Sequence, residues 1–235
     1  MSFNHIIVRT PIDEITLTWA RSTYPHLIQT EYSRKRNDYL LLSRSLLEYI
    51  LRQYFNISKL PEIAYLEHGK PYFPNHPELS FNITHTNTTM AIIVANKGPV
   101  GIDIETIKVR KNFQGLEERV LFPKEQIWLK RQTHYLKAFF TLWSAKEAYL
   151  KATGTGLSGL SSLQLDFNNA IAYGPLPVGS LYIDHTNDKE SFVCYLPDVI
   201  QPILYEFNGY KLITSSRAWQ TIQCIRHHPK EILNY

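Results

Sequence analysis

The chain contains 235 residues, 44% of them hydrophobic and 20% charged, a composition that fits a folded globular protein and excludes a disordered or fibrous one. Its net charge of +4 is too small to indicate a nucleic-acid partner, and it suits an anionic small molecule or an acidic protein equally well. The two cysteines lack the spacing of a zinc site or a disulfide framework, and no apolar run has signal-peptide or membrane-spanning length, so we expect a cytoplasmic protein that binds neither nucleic acid nor membrane.

A long amphipathic stretch is the first strong pattern in the chain. Apolar residues recur at helical spacing between Tyr32 and Tyr54, with Arg and Lys between them, and they predict one long helix. Prolines and glycines punctuate residues 61–77 and indicate short extended pieces. The almost wholly apolar run at 89–95 predicts a strand that is buried on both faces.

A turn at residues 96–99 leads from this strand into a segment of alternating character. Ile102 and Ile104 fall on one face of an extended chain, and Asp103 and Glu105 fall on the other. We therefore predict a hairpin that presents two carboxylates on one face.

Helices and then strands follow in the second part of the chain. Residues 113–133 are charged with aromatic inclusions, and Pro123 is placed like the first-turn residue of a short helix. The strongly apolar stretch from Tyr135 to Thr153 predicts a buried helix, which Gly154 can terminate. Strands and turns are expected beyond it.

A helix and strands occur on each side of residue 98. The expected fold class is therefore α+β, with one half at residues 1–98 and the other at 99–235. The second half carries the candidate metal ligands Asp103, Glu105 and Glu147, and the two halves are expected to share an interface.

Three carboxylates are candidates for a metal site. Asp103 and Glu105 point the same way, and Glu147 lies on the apolar helix, which must pack near their strand. Two such charges about 4 Å apart repel by about 4 kcal/mol at an effective dielectric of about 20, so converging carboxylates shift their pKa values or hold a cation. Mg²⁺ suits such a site because it completes its shell with water and phosphate oxygens. The alternative is that Asp103 and Glu105 form the solvated face of an edge hairpin.

Trp143, Glu147 and Lys151 share one stripe of the same helix because they are spaced at i, i+4 and i+8. A surface Glu–Lys pair beside a core tryptophan is the simplest explanation. The helix is apolar nearly all round, however, and charges on a buried helix need partners. Lys146 and Lys151 can serve as point charges for phosphate groups.

Four short segments can be compared with known sequence motifs, and each is ordinary when taken alone. They are Gly69-Lys70-Pro71, Phe81-Asn82-Ile83-Thr84-His85, Gly101-Ile102-Asp103-Ile104-Glu105 and the run from Trp143 to Gly154. In this order they resemble the motifs of the Sfp-type 4'-phosphopantetheinyl transferases. The resemblance covers residues 69–157 closely, and Arg44 lies in a helix similar to that family's N-terminal helix.

This resemblance implies two similar α+β halves about a pseudo-twofold axis, with coenzyme A in the cleft between them. It implies that Asp103, Glu105 and Glu147 hold Mg²⁺ together with the pyrophosphate of coenzyme A. The residues expected to contact coenzyme A are Arg44, Lys70, Thr84, His85 and Lys151, with Lys146 as a further phosphate-binding lysine. Arg34, Lys35 and Arg36 fall near that family's basic N-terminal stretch and are not part of the expected site.

In the reaction of that family, a serine hydroxyl of an apo carrier protein attacks the β-phosphorus of coenzyme A, and 3',5'-ADP leaves. Asp103, Glu147 and Lys151 are the expected catalytic residues, and Glu147 is a candidate acceptor of the serine proton. The carrier, an apo acyl carrier protein or a peptidyl carrier domain, is expected to meet an apolar segment formed by Val109, Phe113, Leu116, Leu121 and Phe122. The built-in pseudo-twofold favours a monomer.

Two other functions remain open at this point. One is another Mg²⁺-dependent enzyme of phosphodiesters, such as a nuclease, although the chain lacks the basic stripe expected for nucleic acid. The other is a non-catalytic module that binds coenzyme A or a carrier protein. Cleavage of DNA would favour the first, and binding without turnover would favour the second.

Overall fold

The computed structural model describes residues 4–109, 113–176, 178–185, 188–198 and 201–226. The helices are α1 (Glu14–Thr23), α2 (Arg34–Tyr54), α3 (Phe113–Val120), α4 (Pro123–Lys130) and α5 (Tyr135–Thr153). The strands are β1 (His5–Pro11), β2 (Ala64–Tyr65), β3 (Pro71–Tyr72), β4 (Ser80–His85), β5 (Thr89–Ala95), β6 (Gly101–Thr106), β7 (Gln164–Asp166), β8 (Ile171–Gly174), β9 (Gly179–Asp184), β10 (Glu190–Leu196), β11 (Leu204–Phe207), β12 (Leu212–Ser215) and β13 (Trp219–Arg226). Short 3₁₀ helices lie at Pro25–Leu27 and Gly156–Ser162.

The two long helices predicted from the sequence are confirmed. α2 begins two residues after the predicted start and ends at Tyr54, and α5 spans Tyr135–Thr153. Gly154 ends α5 in the left-handed conformation, with φ of +75°, and its N–H donates to the carbonyl of Leu150. An L-residue with a side chain adopts that conformation only at a cost, which explains a glycine at this position.

Two sheets form the centre of the molecule. The first has the strand order β12-β11-β1-β5-β4, and the second has the order β6-β10-β9-β13-β8-β7. The α+β class is therefore confirmed. Sheet membership does not follow a division at residue 98, because β11 pairs in parallel with β1 and carries β12 with it into the first sheet.

Each sheet is covered by one of the long helices. Leu46, Leu47 and Ile50 of α2 pack with Ile92 and Val94 of β5. α5 packs on the second sheet in a separate core, in which Phe139, Phe140 and Tyr149 are fully buried. A third core joins the two sheets. Among the described residues, no helix combines the length and apolar character needed to cross a membrane.

The predicted hairpin of residues 89–105 is wrong. β5 pairs with β1 and β4, whereas β6 pairs with β10, so the turn at 96–99 carries the chain from one sheet to the other. The side chains of β6 alternate between its two faces as predicted, but the strand lies beside β10, β4 and α5 and not beside β5 in a hairpin. Asp103 is only 5% exposed, because the other sheet and α5 cover this face of the strand.

β4 and β6 are the edge strands at which the sheets meet. Three backbone N–H groups, two of β6 and one of the residue before it, donate to side-chain oxygens of β4: Val100 to Ser80 at 3.3 Å, Ile102 to Asn82 at 3.1 Å and Ile104 to Thr84 at 3.4 Å. The polar residues that alternate along β4 thus satisfy donors that an edge strand would otherwise leave unpaired. This junction fixes β6 against the first sheet.

Gly101 allows β6 to approach α5 closely. A Cβ atom at this position would lie 1.9 Å from the carbonyl oxygen of Ala148 and 2.7 Å from the backbone nitrogen of Ala152. No rearrangement of a flexible side chain can relieve a contact with helix backbone. The glycine therefore sets the distance between Asp103 on the strand and Lys151 on the helix.

We expect Gly101→Ala to lower the free energy of unfolding by about 3 kcal/mol, because the added methyl group must separate β6 from α5. Urea unfolding followed by circular dichroism measures the change. Thr106→Ala, at the more exposed end of the same strand, is the control and should cost about 0.5 kcal/mol or less. Equal stability of the two variants would contradict the tight approach.

Candidate functional site

A cleft of about 470 Å³ opens where β4, β6 and α5 meet. Most of its lining is polar or charged, although the strands on either side are apolar. Its lining residues are Ile83, Thr84, His85, Thr86, Asn87, Asp103, Ile104, Glu105, Thr106, Lys108, Glu147 and Lys151. The three predicted carboxylates and three of the predicted coenzyme A residues thus lie in one cleft.

Lys151 and Asp103 form the centre of the cleft. The Lys151 ammonium donates to Asp103 Oδ1 at 2.7 Å, to Thr84 Oγ1 at 3.2 Å and to the carbonyl of Ile102 at 3.2 Å. The Lys151 side chain is 28% exposed and that of Asp103 only 6%. Since one carboxylate oxygen carries this ion pair, the second oxygen decides what else the site can bind.

Asp103 Oδ2 is buried and accepts no hydrogen bond from any of the described residues. Leaving a buried carboxylate oxygen unsatisfied is costly, and such atoms in native structures call for an explanation. A hard cation prefers oxygen ligands of this kind. The oxygen therefore fits a divalent cation bound at the floor of the cleft.

Glu105 and Glu147 supply two more carboxylates beside Asp103. Trp143 holds Glu105 in place, because its indole N–H donates to Glu105 Oε1 at 3.1 Å. Burial raises the pKa of Glu147, and the negative charges of Asp103 and Glu105 raise it further against the opposing charge of Lys151. Both burial and neighbouring negative charge favour the protonated form of this carboxyl group.

The carboxylates share the cleft without forming a closed cage. Among the described residues, no three His, Cys, Asp or Glu side chains are arranged closely enough to hold a metal ion. Mg²⁺ does not require such a cage, because it keeps several of its waters and binds substrate phosphates as well as protein carboxylates. The donor set suits a cation that arrives together with a phosphate ligand.

Arg44 lies in a second cavity of about 360 Å³ beside the cleft. Ile83 and His85 line both spaces, so the two are neighbours along β4. The ring of Tyr39 lies 4.4 Å from the ring of His85, which places His85 between α2 and the cleft. An extended ligand could therefore span from the carboxylates to Arg44.

Lys70 follows the turn at Gly69 and lies against the C-terminal end of α5. Its ammonium donates to the carbonyl of Ala152, one of the last carbonyls of that helix. Burial lowers the pKa of Lys70 to about 8. The side chain does not line the cleft of the carboxylates, but its neighbours Gly69 and Pro71 line the second cavity.

The expectation that Lys146 binds a phosphate group is wrong. Its side chain is 0% exposed and forms an ion pair with the equally buried Glu125, with 2.9 Å between Nζ and Oε1. It also donates to the carbonyl of Leu163 at 2.9 Å. The sequence showed that charges on this helix need partners, but it could not show that this partner lies in α4 rather than on a ligand.

The structure adds residues that the sequence pattern did not select. Asn87 and Lys108 line the cleft, and Lys35 at the start of α2 donates to Asn87 Oδ1 at 3.1 Å. Arg36 lines the second cavity. The cluster of basic residues at 34–36 was the available signal, but only the fold shows that the start of α2 reaches the mouth of the cleft.

An apolar groove of about 450 Å³ adjoins the cleft on the other side of Trp143. Leu116, Leu121 and Phe122, all predicted to meet a partner helix, line it. Phe113 packs instead against the ring of Phe139, and Val109 is 83% exposed outside the groove. The predicted apolar segment is therefore divided between a groove, the core and the surface.

Known proteins similar to this chain share one description. A family model described as the 4'-phosphopantetheinyl transferase superfamily matches residues 99–198, which carry Asp103, Glu105, Glu147 and Lys151. The chain is 32% identical over 127 residues to the 4'-phosphopantetheinyl transferase AcpT of Salmonella typhi, covering 53% of this chain and 66% of that protein. It therefore spans just under two thirds of that relative.

Two further relatives carry the same activity in their names. AcpT of Escherichia coli is 28% identical over 166 residues, which cover 70% of this chain and 82% of that protein. The 4'-phosphopantetheinyl transferase gsp of Aneurinibacillus migulanus is 31% identical over 180 residues, which cover 72% and 66%. These longer matches extend beyond the segment that the family model covers.

The lowered pKa of Lys70 predicts a stability change with pH. Between about pH 8 and the ordinary lysine value of 10.5, the unfolded chain binds a proton that the folded chain has lost, so stability rises with pH. Lys70→Met should therefore raise the free energy of unfolding relative to the wild type most strongly below pH 8. This gain in stability should fall by about 2 kcal/mol as the pH rises to 10.5.

Urea unfolding between pH 7 and 10.5 measures this difference. Lys97→Met is the control, since Lys97 is exposed. We expect the stability difference from the wild type to fall with pH for Lys70→Met and not for Lys97→Met. Parallel curves for the two variants would show that Lys70 is not desolvated.

Proposed function

This chain belongs to the 4'-phosphopantetheinyl transferase superfamily, a family of transferases, and we propose that it moves the 4'-phosphopantetheine group of coenzyme A to a serine of an apo carrier protein. The observation that carries the proposal is the buried Asp103 Oδ2, which accepts no hydrogen bond from the described residues. It lies in a cleft where Lys151 and two further carboxylates are within reach of a phosphate ligand.

Asp103, Glu105 and Glu147 are the residues that would hold Mg²⁺ in this proposal. When bound, the ion would neutralise charge that builds on the pyrophosphate oxygens, an effect that contributes several kcal/mol in metal-assisted phosphoryl chemistry. Asp103 offers its second oxygen while the first stays paired with Lys151. Trp143 orients Glu105 by its hydrogen bond.

Coenzyme A would extend from this cleft into the second cavity. Lys151 and Thr84 would contact its pyrophosphate, because both lie beside Asp103. His85 lines both spaces, and Arg44 would meet the 3'-phosphate side of the molecule. Lys70 would contact the ligand from the turn next to Gly69, which requires its ammonium to leave the carbonyl of Ala152.

The reaction breaks one bond and forms another at the β-phosphorus. The serine hydroxyl oxygen of the carrier attacks phosphorus, the bond to the oxygen of 3',5'-ADP breaks, and the serine proton passes to Glu147 directly or through water. Glu147 is the candidate acceptor because it lines the same cleft as Asp103 and Lys151. Lys151 offsets the charge on the leaving phosphate.

The carrier would be an acyl carrier protein, with a peptidyl carrier domain as the other candidate. The apolar groove beside Trp143 suits a helix that inserts apolar side chains. The net charge of +4 favours an acidic partner. The proposal includes a cytoplasmic monomer whose halves, at 1–98 and 99–235, are related by a pseudo-twofold axis.

We expect the protein to add one phosphopantetheine group to a purified apo acyl carrier protein in the presence of coenzyme A and Mg²⁺. Asp103→Asn should lower the initial rate by at least 100-fold, because it removes a charged ligand and the partner of Lys151. Intact-protein mass spectrometry measures the product. EDTA should abolish the gain in mass, and excess Mg²⁺ should restore it.

Asp188→Asn is the matched control, since that carboxylate is 86% exposed and pairs with Lys137 on the surface; it should keep the wild-type rate. Binding of coenzyme A without transfer to acyl or peptidyl carriers would favour a non-catalytic binding module. Full activity of Asp103→Asn, or activity that persists in EDTA, would contradict the assigned site.

A further inference from the structure

A buried ion pair lies beneath the apolar groove, and the proposed chemistry uses neither of its members. Lys146 Nζ lies 2.9 Å from Glu125 Oε1, and both side chains are 0% exposed. A buried pair of this kind stabilises a fold little more than apolar packing would, but removal of one partner is strongly destabilising. Its main consequence is therefore the position of the groups bonded to it.

Glu125 and Lys146 both act on one wall of the groove. Glu125 Oε2 accepts the backbone N–H of Phe122 at 2.7 Å, at the start of α4. The Lys146 ammonium lies 5.0 Å from the centre of the Phe122 ring, within range of a cation–π contact. Backbone and ring of Phe122 are thus both fixed by the pair, and Phe122 lines the groove.

The same two side chains also fix the opposite wall. Leu165 donates its N–H to Glu125 Oε1 at 2.8 Å, and Lys146 donates to the carbonyl of Leu163 at 2.9 Å. Leu163 and Leu165 lie within three residues of the end of the 3₁₀ helix Gly156–Ser162, whose Leu157 and Leu160 also line the groove. The pair therefore sets the separation of the two walls.

Trp143 connects this groove to the cleft. Its ring lines the groove, and its indole N–H donates to Glu105 Oε1 in the cleft. A helix that occupies the groove would therefore hold its reactive serine beside the carboxylates.

We infer that Glu125 and Lys146 are positioning residues that set the width of the groove and thereby the affinity for the apolar helix of the carrier protein. This inference rests on the proposed function. Neither residue touches coenzyme A in it, so the two should affect the carrier and not the nucleotide substrate.

The test is a steady-state analysis of Glu125→Gln, which keeps the side-chain volume and removes the charge. We expect KM for the apo acyl carrier protein to rise at least tenfold, with KM for coenzyme A and kcat at saturating carrier within twofold of the wild type. A simple loss of folded enzyme would instead lower kcat and leave both KM values unchanged. Glu78→Gln, at a glutamate that is 58% exposed, should match the wild type.

A second variant keeps the inference testable if the single substitution impairs folding. The double variant Glu125→Gln with Lys146→Met leaves no unpaired charge in the core, and it should show the same selective rise in KM for the carrier. Thermal unfolding followed by circular dichroism establishes that each variant is folded.

The possible outcomes separate this inference from the proposed function. A wild-type protein without transfer activity would overturn the proposed function and this inference with it. Transfer by the wild type, with an unchanged KM for the carrier in folded variants, would overturn the inference alone. Equal rises of both KM values, or failure of both variants to fold, would also overturn it, since the pair would then serve the fold as a whole.

Discussion

The structure depends on the way in which two sheets meet at their edges. β4 and β6 share no backbone ladder, and side chains of β4 accept hydrogen bonds from the backbone of β6 instead. This arrangement needs a polar residue at every second position of β4, and Thr84 among them also accepts from Lys151. Residues that join the halves therefore also build the cleft, so a change that loosens the junction must displace Asp103 as well.

Ion pairs also connect the two sheets. Arg9 of β1 pairs with Glu190 of β10, and Thr89 donates to the same glutamate at 3.1 Å. Arg217 joins Glu206 of the first sheet to Asp184 of the second. Breaking such buried pairs is costly even where forming them contributes little. Polar contacts thus hold the sheets together around their shared apolar core. Because they fix the relative position of the sheets, they also fix the shape of the cleft.

Local patterns in the sequence predicted the elements but not their neighbours. α5 and Gly154 were predictable because apolar residues all round a helix and a terminal glycine are local signals. β6 alternates as expected, yet its partner is β10, whose paired residues lie 84 to 94 positions later in the chain, and no local signal can identify such a strand. The order of the sequence motifs predicted the carboxylates of the cleft. The role of Lys146, in contrast, depends on its buried ion pair with Glu125, which the sequence does not show. A motif thus shows that a residue matters, and only its contacts show whether it touches a ligand or holds the wall of a groove.

A crystal structure of the protein with coenzyme A and Mn²⁺ tests the central claim most directly, because the anomalous signal of manganese locates the ion without interpretation of weak density. The account predicts a metal ion coordinated by Asp103 Oδ2 and by a pyrophosphate oxygen, with the rest of coenzyme A extending past His85 towards Arg44. Coenzyme A bound elsewhere, or a cleft that holds the pyrophosphate while Asp103 Oδ2 contacts no metal ion, would contradict it.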